Sequence, residues 1–172
     1  SKIESGYISV DYNPISFAEI SQFVESTFNP ISEAKHLRFN ISMDEKLPEF
    51  VETDSQRLNQ ILKNLLSNSF KFTEKGQVQL KIYKANNNWK TANASLENAE
   101  AVVAFEISDT GIGISKEKQN LIFEAFQQAE GSTSRKYGGT GLGLSISRGL
   151  SDLLGGSIEL ESETNVGSKF TL

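Results

Sequence analysis

The 172-residue sequence has no cysteine and a single histidine, and these two absences remove several classes of chemistry. Without cysteine there is no disulfide framework, no thiolate metal site and no thiol nucleophile. One histidine cannot supply the ligand set that zinc usually takes from proteins. Apolar runs are short, and none approaches the roughly 20 residues that a helix needs to span a bilayer. The N-terminal SKIESGYISVDYNP also lacks the basic-then-apolar pattern of a secretion signal.

Positive charge and proline are scarce as well. The formal net charge is −5, with 17 Lys and Arg against 22 Asp and Glu, so general binding to nucleic acid or to an anionic membrane is not expected. Three prolines and no internal repeat give no sign of an interdomain linker. The length and a hydrophobic fraction of 37% suit one domain with a substantial core. Any phosphate-bearing ligand must therefore be held by a local site.

Hydrophobic periodicity and capping signals predict the order of helices and strands. The first helix begins at about Phe17 behind a capping box of Ser16 and Glu19, and Pro30 is expected to kink or interrupt it. The later predicted elements are a strand at 37–42 with a short FVE extension, a helix from Asp54 to near Phe72, strands at 78–83 and 102–108, a short helix at 115–123, a helix from about Leu142 to Gly155, and two closing strands in SIELES and SKFTL. The predicted fold class is a two-layer α/β sandwich, with helices on one face of a mixed, mostly antiparallel sheet.

The second predicted helix carries a polar stripe. Asn64, Asn68 and Lys71 lie four and seven residues apart, so they share one edge that is rotated away from the leucine face. An amide oxygen suits a Mg²⁺ ion that keeps waters and phosphate oxygens, and a nearby lysine neutralises further phosphate charge. An ordinary solvated helix face has the same composition, so this stripe alone does not decide between the two interpretations.

The segment DTGIGI at 109–114 directly follows an apolar strand. Asp109 stands at the strand end, and Gly111 and Gly113 let the backbone turn sharply. A carboxylate in that position can accept a hydrogen bond from an exocyclic amine such as adenine N6. The alternative is a turn in which Asp109 caps its own backbone.

The segment KYGGTGLGLSIS at 136–147 places four glycines ahead of a helix. The first N–H groups of a helix are unpaired, and glycine lets phosphate oxygens approach them and the positive end of the helix dipole. Arg135 and Lys136 supply cations next to this segment. Apolar residues alternate with the glycines and begin a helical stripe, which favours a helix start over a flexible linker. The P-loop pattern is absent, and G-x-G-x-x-G fails because Ile146 occupies the third glycine position.

Together and in this order, four segments closely resemble the ATP-binding catalytic domain of sensor histidine kinases. They are NLLSNSFKFT (64–73), DTGIGI (109–114), FEAF (123–126) and GGTGLGLSIS (138–147), and they match that family's asparagine box, first glycine box, phenylalanine box and second glycine box. TNVGSKFTL (164–172) is similar to the segment that closes the domain, so the resemblance covers nearly the whole chain. It implies the Bergerat fold shared with gyrase, the Hsp90 chaperones and MutL, with ATP held between helices and sheet under a mobile lid.

The resemblance implies ATP and Mg²⁺ as cofactors and gives each matching residue a role. Asn68 is similar to the Mg²⁺ ligand, Lys71 to a phosphate contact and Asp109 to the adenine-reading carboxylate. Asn64 is similar to a nearby polar contact, and it stands where the gyrase and Hsp90 branches place a glutamate base, which favours phosphotransfer over hydrolysis. Asn64 and Lys71 are therefore the predicted catalytic residues. The other predicted nucleotide contacts are Phe72, Gly111, Gly113, Phe123, Phe126, Arg135, Lys136, Gly139, Thr140, Gly141, Leu142, Gly143, Leu144 and, through water, Thr171.

The activity implied by the resemblance is transfer of the ATP γ-phosphate to a histidine on a separate dimerisation domain. His36 does not match the family's phosphoacceptor and is interpreted as structural. Residues 1–14 resemble the end of the dimerisation domain and the segment that leads into the catalytic domain, which is expected at 15–172. The implied partners are the dimerisation and phosphoacceptor domain and a response regulator or receiver domain. We expect a cytoplasmic domain of a membrane-anchored parent, with no nucleic-acid partner and no direct membrane contact.

Two other functions fit the same residues. One is a non-catalytic ATP sensor, in which the nucleotide creates a surface for a partner protein. The other is a serine kinase that acts on a regulatory protein through the same fold. Identifying the phosphorylated residue, or finding tight binding without transfer, separates these possibilities.

Overall fold

The computed structural model describes residues 9–86, 99, 101–122 and 142–172. In these ranges, helices α1, α2 and α4 pack together over a five-stranded sheet. No helix there is long and apolar enough to cross a membrane. The elements are β1 (Asn13–Ser16), α1 (Phe17–Lys35), β2 (Arg38–Met43), β3 (Phe50–Thr53), α2 (Ser55–Lys71), β4 (Gln77–Lys84), β5 (Val103–Asp109), α3 (Lys116–Gln119), α4 (Leu142–Leu153), β6 (Glu159–Glu163) and β7 (Gly167–Thr171).

The sheet has the strand order β2-β4-β5-β7-β6. β2 pairs with β4 in parallel, and the other three pairings are antiparallel. Leu80 of β4 faces Ile107 of β5, and Ile82 faces Phe105, and all four side chains are buried beneath the helices. Because side chains alternate between the faces of a strand, this register fixes which residues point toward the helices. The predicted mixed, mostly antiparallel α/β sandwich is confirmed.

Helix α1 begins where its capping signal predicts. The Ser16 hydroxyl accepts a hydrogen bond from the Glu19 backbone N–H at 3.1 Å, and the Glu19 carboxylate accepts one from the Ser16 N–H at 3.1 Å. Two backbone donors that the helix itself cannot satisfy are thereby paired.

The sequence predicts that Pro30 kinks or interrupts α1, and the structure shows no interruption, because the helix continues to Lys35. A proline inside a helix removes one backbone hydrogen bond and clashes with the preceding turn. Contacts on both sides of Pro30 offset this loss. The Phe28 ring stacks on Phe70 of α2 with centroids 5.5 Å apart, and the Lys35 ammonium donates to the Phe70 carbonyl.

Strand β1, which the sequence patterns did not predict, forms a small antiparallel sheet with β3. β1 spans the predicted boundary between residues 14 and 15, and that boundary stays a prediction. Just before β1, the Asp11 N–H donates to the Asp54 carboxylate at 3.1 Å, and the Arg57 guanidinium donates to the Ser9 carbonyl at 2.8 Å. Residues 9–11 are therefore hydrogen-bonded to the N-cap and first turn of α2.

Helix α2 runs from its N-cap Asp54 to Lys71, as its spacing predicts. The Asp54 carboxylate accepts a hydrogen bond from the Arg57 N–H at 3.2 Å. Its predicted apolar face is buried against α1, α4 and the sheet, and consists of Leu58, Ile61, Leu62, Leu65 and Leu66. The polar stripe of α2 consequently lies at the margin of the core, next to the end of β5 and the start of α4.

Candidate functional site

The C-terminal end of α2 meets the turn that follows β5. A side-chain Cβ at Gly111 would stand 2.3 Å from the Phe72 carbonyl oxygen, a distance that no real contact permits. Glycine is therefore required for this approach. The neighbouring Ile112 N–H donates to the same carbonyl at 3.2 Å. The asparagine segment and the first glycine segment thus form one continuous surface.

Asp109 ends β5 with its half-buried side chain on the face that carries the helices. Its Oδ1 accepts hydrogen bonds from the N–H groups of Gly111 at 2.9 Å and Ser168 at 3.3 Å. Oδ2 accepts no hydrogen bond of ordinary geometry in the described part of the chain. Oδ1 therefore performs the turn capping that the sequence offered as an alternative, while Oδ2 stays available to a ligand.

Burial raises the pKa of the Asp109 carboxyl above its ordinary value of 3.8. Hydrogen bonds from the Gly111 and Ser168 N–H groups oppose that rise, and so does the nearby Ser69 hydroxyl. Ser69 makes no hydrogen bond of ordinary geometry among the described residues, so its effect on the pKa of Asp109 is a weak electrostatic one. Desolvation outweighs these contacts and favours the neutral carboxyl.

Two further glycines connect this turn to the β6–β7 turn. Gly113 has a φ of 70°, and its Cβ would stand 2.0 Å from the Glu163 carbonyl oxygen. Gly167 has a φ of 146°, and its Cβ would stand 2.0 Å from the Asp109 carbonyl oxygen. A side chain at either position would combine a strained backbone with a backbone clash. These close contacts hold the Asp109 strand end in place.

The strand register corrects the assignment of Thr171. Thr171 lies opposite Glu106, three residues before Asp109 in β5. Glu106 and Asp109 are an odd number of residues apart, so their side chains point to opposite faces of the sheet. Thr171 shares the face of Glu106 and therefore cannot reach a ligand beside Asp109. It lines a separate cavity of about 630 Å³ together with Tyr83 and Glu106. The β7 residue beside Asp109 is Ser168, which period-2 alternation in GSKFTL identifies only once the register is known.

The asparagine helix also meets the first turn of α4. The Asn64 side-chain amide donates to the Gly143 carbonyl at 3.4 Å and to the Ser147 hydroxyl at 3.2 Å. The Ser147 hydroxyl donates to the same carbonyl at 2.7 Å. A Cβ built on Gly143 would meet no described atom within 4 Å.

The remaining predicted residues of the described part lie along α2, at its C-terminal end and on the first turn of α4. Asn68 and Lys71 are half-buried on α2, and the Asn68 side chain makes no hydrogen bond within the described residues. Phe72 is half-buried and caps α2 through its N–H, which donates to the Asn68 carbonyl at 3.0 Å. Leu144 packs on the hydrophobic core, so it supports α4 from below. The backbone of Leu142 begins α4.

Seven predicted contacts lie outside the described residues. They are Phe123, Phe126, Arg135, Lys136, Gly139, Thr140 and Gly141.

The donor set fits a magnesium nucleotide. Oδ2 of Asp109 can accept from an amine, the Asn68 amide has no partner among the described residues, and no described atom obstructs the approach of an oxygen-rich group to Gly143. In the described ranges, no group of three or more His, Asp or Glu side chains could hold a metal ion. A Mg²⁺ ion beside Asn68 would therefore take further ligands from phosphates and water, as this ion commonly does.

The fold and this donor set define a class of nucleotide-binding domain. Residues 53–172 match the family of histidine kinase-, DNA gyrase B- and HSP90-like ATPases, and the chain belongs to that family. The chain is therefore an ATP-binding catalytic domain of the histidine-kinase type.

Its relatives are histidine kinases. Over 177 residues the chain is 43% identical to hybrid signal transduction histidine kinase L of Dictyostelium discoideum, covering 99% of the chain and 10% of that protein. Over 179 residues it is 40% identical to the autoinducer 2 sensor kinase/phosphatase LuxQ of Vibrio parahaemolyticus, covering 100% of the chain and 19% of that protein. The chain thus spans between a tenth and a fifth of the length of these curated relatives.

Solved structures show the same fold. Full-length ShkA in complex with AMPPNP superposes with a TM-score of 0.78 at 28% identity, covering 99% of this chain and 32% of that one. The nucleotide-free catalytic domain of the histidine kinase ThkA superposes with a TM-score of 0.67 at 25% identity, covering 94% of this chain and 93% of that one.

Proposed function

We propose that this domain binds ATP with Mg²⁺ and transfers the γ-phosphate to a histidine nitrogen on the dimerisation domain of its parent protein. The observation that carries the proposal is the meeting of three segments: the polar stripe of α2, the Asp109 strand end and the open first turn of α4. Family membership and the AMPPNP complex of the related ShkA support it.

Each segment has a separate task in this proposal. Oδ2 of Asp109 accepts a hydrogen bond from adenine N6, which selects the base. The Asn68 amide oxygen ligates Mg²⁺, and Lys71 neutralises phosphate charge. The first turn of α4 presents N–H groups to the phosphates, and the missing side chain at Gly143 allows their approach.

The transfer itself needs positioning more than covalent help from this chain. The attacking histidine nitrogen forms a bond to the γ-phosphorus while the bond to the β–γ bridging oxygen breaks, and ADP leaves. Bound Mg²⁺ supplies neutralisation of the phosphate charge. Asn64 is a neutral amide, so it cannot serve as the base that water attack would require. The acceptor histidine and any base therefore come from another domain.

The proposed partners are the two that the family resemblance implies. They are the dimerisation and phosphoacceptor domain and a response regulator or receiver domain. We place the domain in the cytoplasm, where ATP is available, and propose that its parent is membrane-anchored.

Phosphotransfer to a separate domain is the direct test. The purified chain is mixed with the dimerisation domain of its parent, γ-labelled ATP and Mg²⁺. We expect label on that domain that is lost in acid and kept in base, because a phosphoramidate bond is acid-labile. Replacing the acceptor histidine with alanine should abolish it. Acid-stable label would indicate a serine kinase, and tight ATP binding without any transfer would indicate a sensor.

Asn68→Asp is expected to increase the magnesium dependence of ATP binding by about tenfold. The new carboxylate repels metal-free ATP but strengthens the ligation of Mg²⁺, so affinity falls without the metal and recovers when it is added. Calorimetric titration with ATP across a magnesium series measures this ratio. The control is Ser67→Asp, which adds the same charge to the neighbouring exposed position. Equal magnesium dependence in Asn68→Asp and wild type would remove Asn68 from the metal site.

A further inference from the structure

The contact between α2 and α4 assigns Asn64 a different task from the one that its motif position implies. We propose that Asn64 and Ser147 are positioning residues that hold the first turn of α4 in place. The effect on nucleotide binding rests on the proposed function, whereas the contact itself does not.

The side-chain amide of Asn64 points at α4. The two acceptors in reach of its nitrogen are the Gly143 carbonyl at 3.4 Å and the Ser147 hydroxyl at 3.2 Å. These acceptors lie only 2.7 Å apart, whereas the two hydrogens of an amide point about 120° apart, so one hydrogen is shared between both acceptors. The carbonyl can only accept, so it fixes which end of the amide faces α4.

Ser147 completes the bridge from inside the core. Its side chain is fully buried, at 0% exposure, so its hydroxyl has no water to pair with. The hydroxyl donates to the Gly143 carbonyl at 2.7 Å and accepts from Asn64, so both of its roles are filled. Removing either partner breaks a hydrogen bond of this unit, while the Gly143 carbonyl keeps the hydrogen bond from the other partner.

The bridge reaches a turn of α4 that contains a glycine. Gly143 has no side chain, and a Cβ built there would meet no described atom within 4 Å. Leu144 packs the same turn against the hydrophobic core. The polar bridge from Asn64 and Ser147 to the Gly143 carbonyl adds a second attachment, which holds the backbone of the turn.

The chain offers a matched control one turn further along α4. Ser151 is also a serine at 0% exposure, but its hydroxyl makes no hydrogen bond among the described residues. Ser147→Ala and Ser151→Ala therefore remove the same atom from equally buried positions. Only the first change touches the bridge.

Nucleotide affinity in a double-mutant cycle tests the proposal. ATP binding with Mg²⁺ is measured by calorimetry for Asn64→Ala, Ser147→Ala, their double variant and Ser151→Ala in the full chain. We expect each bridge variant to weaken binding by about fivefold and the double variant by no more than either, because both break one unit. Ser151→Ala should bind like wild type. Strong loss in Asn64→Ala with wild-type affinity in Ser147→Ala would show direct contact and overturn the proposal, as would multiplied effects.

Amide hydrogen exchange separates this proposal from the proposed function. Without nucleotide, Asn64→Ala and Ser147→Ala should each speed exchange in the first two turns of α4 by about fivefold, while Ser151→Ala leaves those turns unchanged. Wild-type protection in both bridge variants, or uniform loss along α4 in all three, would overturn the bridge. A wild-type chain that protects these turns but binds no ATP would instead refute the proposed function.

Discussion

Asp109→Asn is expected to lower ATP affinity by at least about 100-fold and to reverse the preference of the site between ATP and GTP. Both backbone donors at this position bind Oδ1, and asparagine keeps that oxygen. The change therefore replaces only Oδ2, the atom proposed to accept from adenine N6. An NH₂ group in its place would face the amine of adenine, and two hydrogen-bond donors cannot bond to each other. Guanine has a carbonyl oxygen there and can accept from the new group.

Competition binding with ATP and GTP measures this reversal. Asp152→Asn removes a carboxylate from an exposed position of α4 and serves as the control for net charge. That control should bind ATP like wild type. An Asp109→Asn chain with unchanged ATP affinity would show that the base is read elsewhere.

The raised pKa of Asp109 gives the same prediction a pH dependence. Burial raises the pKa in the folded state, so the folded chain binds the proton more tightly than the unfolded chain does. The stability that this group contributes is present below the unfolded pKa of about 3.8 and is lost as pH rises through the folded value. ATP affinity has the opposite pH dependence. A proton on Oδ2 would turn that oxygen into a donor, and adenine N6 needs an acceptor there. In wild type, ATP affinity should therefore fall as pH drops through the raised pKa of Asp109, and Asp109→Asn should lack this fall.

Gly143→Ala is expected to change fold stability and nucleotide affinity in opposite directions. Alanine in place of a helical glycine stabilises by about 1 kcal/mol, and no described atom obstructs the new methyl group. That methyl fills the space proposed for phosphate oxygens, so ATP affinity should fall by at least about 30-fold through steric exclusion of a close backbone contact. A gain in stability with a loss of binding distinguishes occlusion of a site from damage to the fold.

Thermal unfolding and calorimetry on one preparation measure both effects. Asp152→Ala provides a comparison, because it improves helix propensity at an exposed position of the same helix without entering the proposed site. It should gain stability and keep its ATP affinity. Wild-type ATP binding by Gly143→Ala would mean that the phosphates do not approach this turn.

Patterns that depend on near neighbours in the sequence were sufficient to place the starts of α1 and α2. The capping box at Ser16 and the leucine spacing of α2 are local signals, and the structure has both where the sequence predicts them. Pro30 is also a local signal, but contacts made by Phe28 and Lys35 with α2 outweigh it. The strength of those contacts depends on residues more than thirty positions away in the sequence, so no local pattern reports it.

The site was less predictable, because its geometry depends on pairings between distant segments. Gly111 and Asp109 could be singled out from their place at a strand end. The choice between Ser168 and Thr171 depends on the register of β7 against β5, and the sequence of one strand alone does not determine that register. The partner of Asn64 is likewise set by the packing of α4 on α2. Motif position alone could not show that its amide faces α4.

Helix α2 has an attachment at each end. Its first turn is fastened to residues 9–11, and its last turn carries Asn68, Lys71 and the Phe72 carbonyl. At 1.5 Å per residue, its 17 residues make a rod of roughly 25 Å with no proline to bend it. The hydrogen bonds of Ser9 and Asp11 thus join the N-terminal segment to one end of the helix whose other end carries the candidate site.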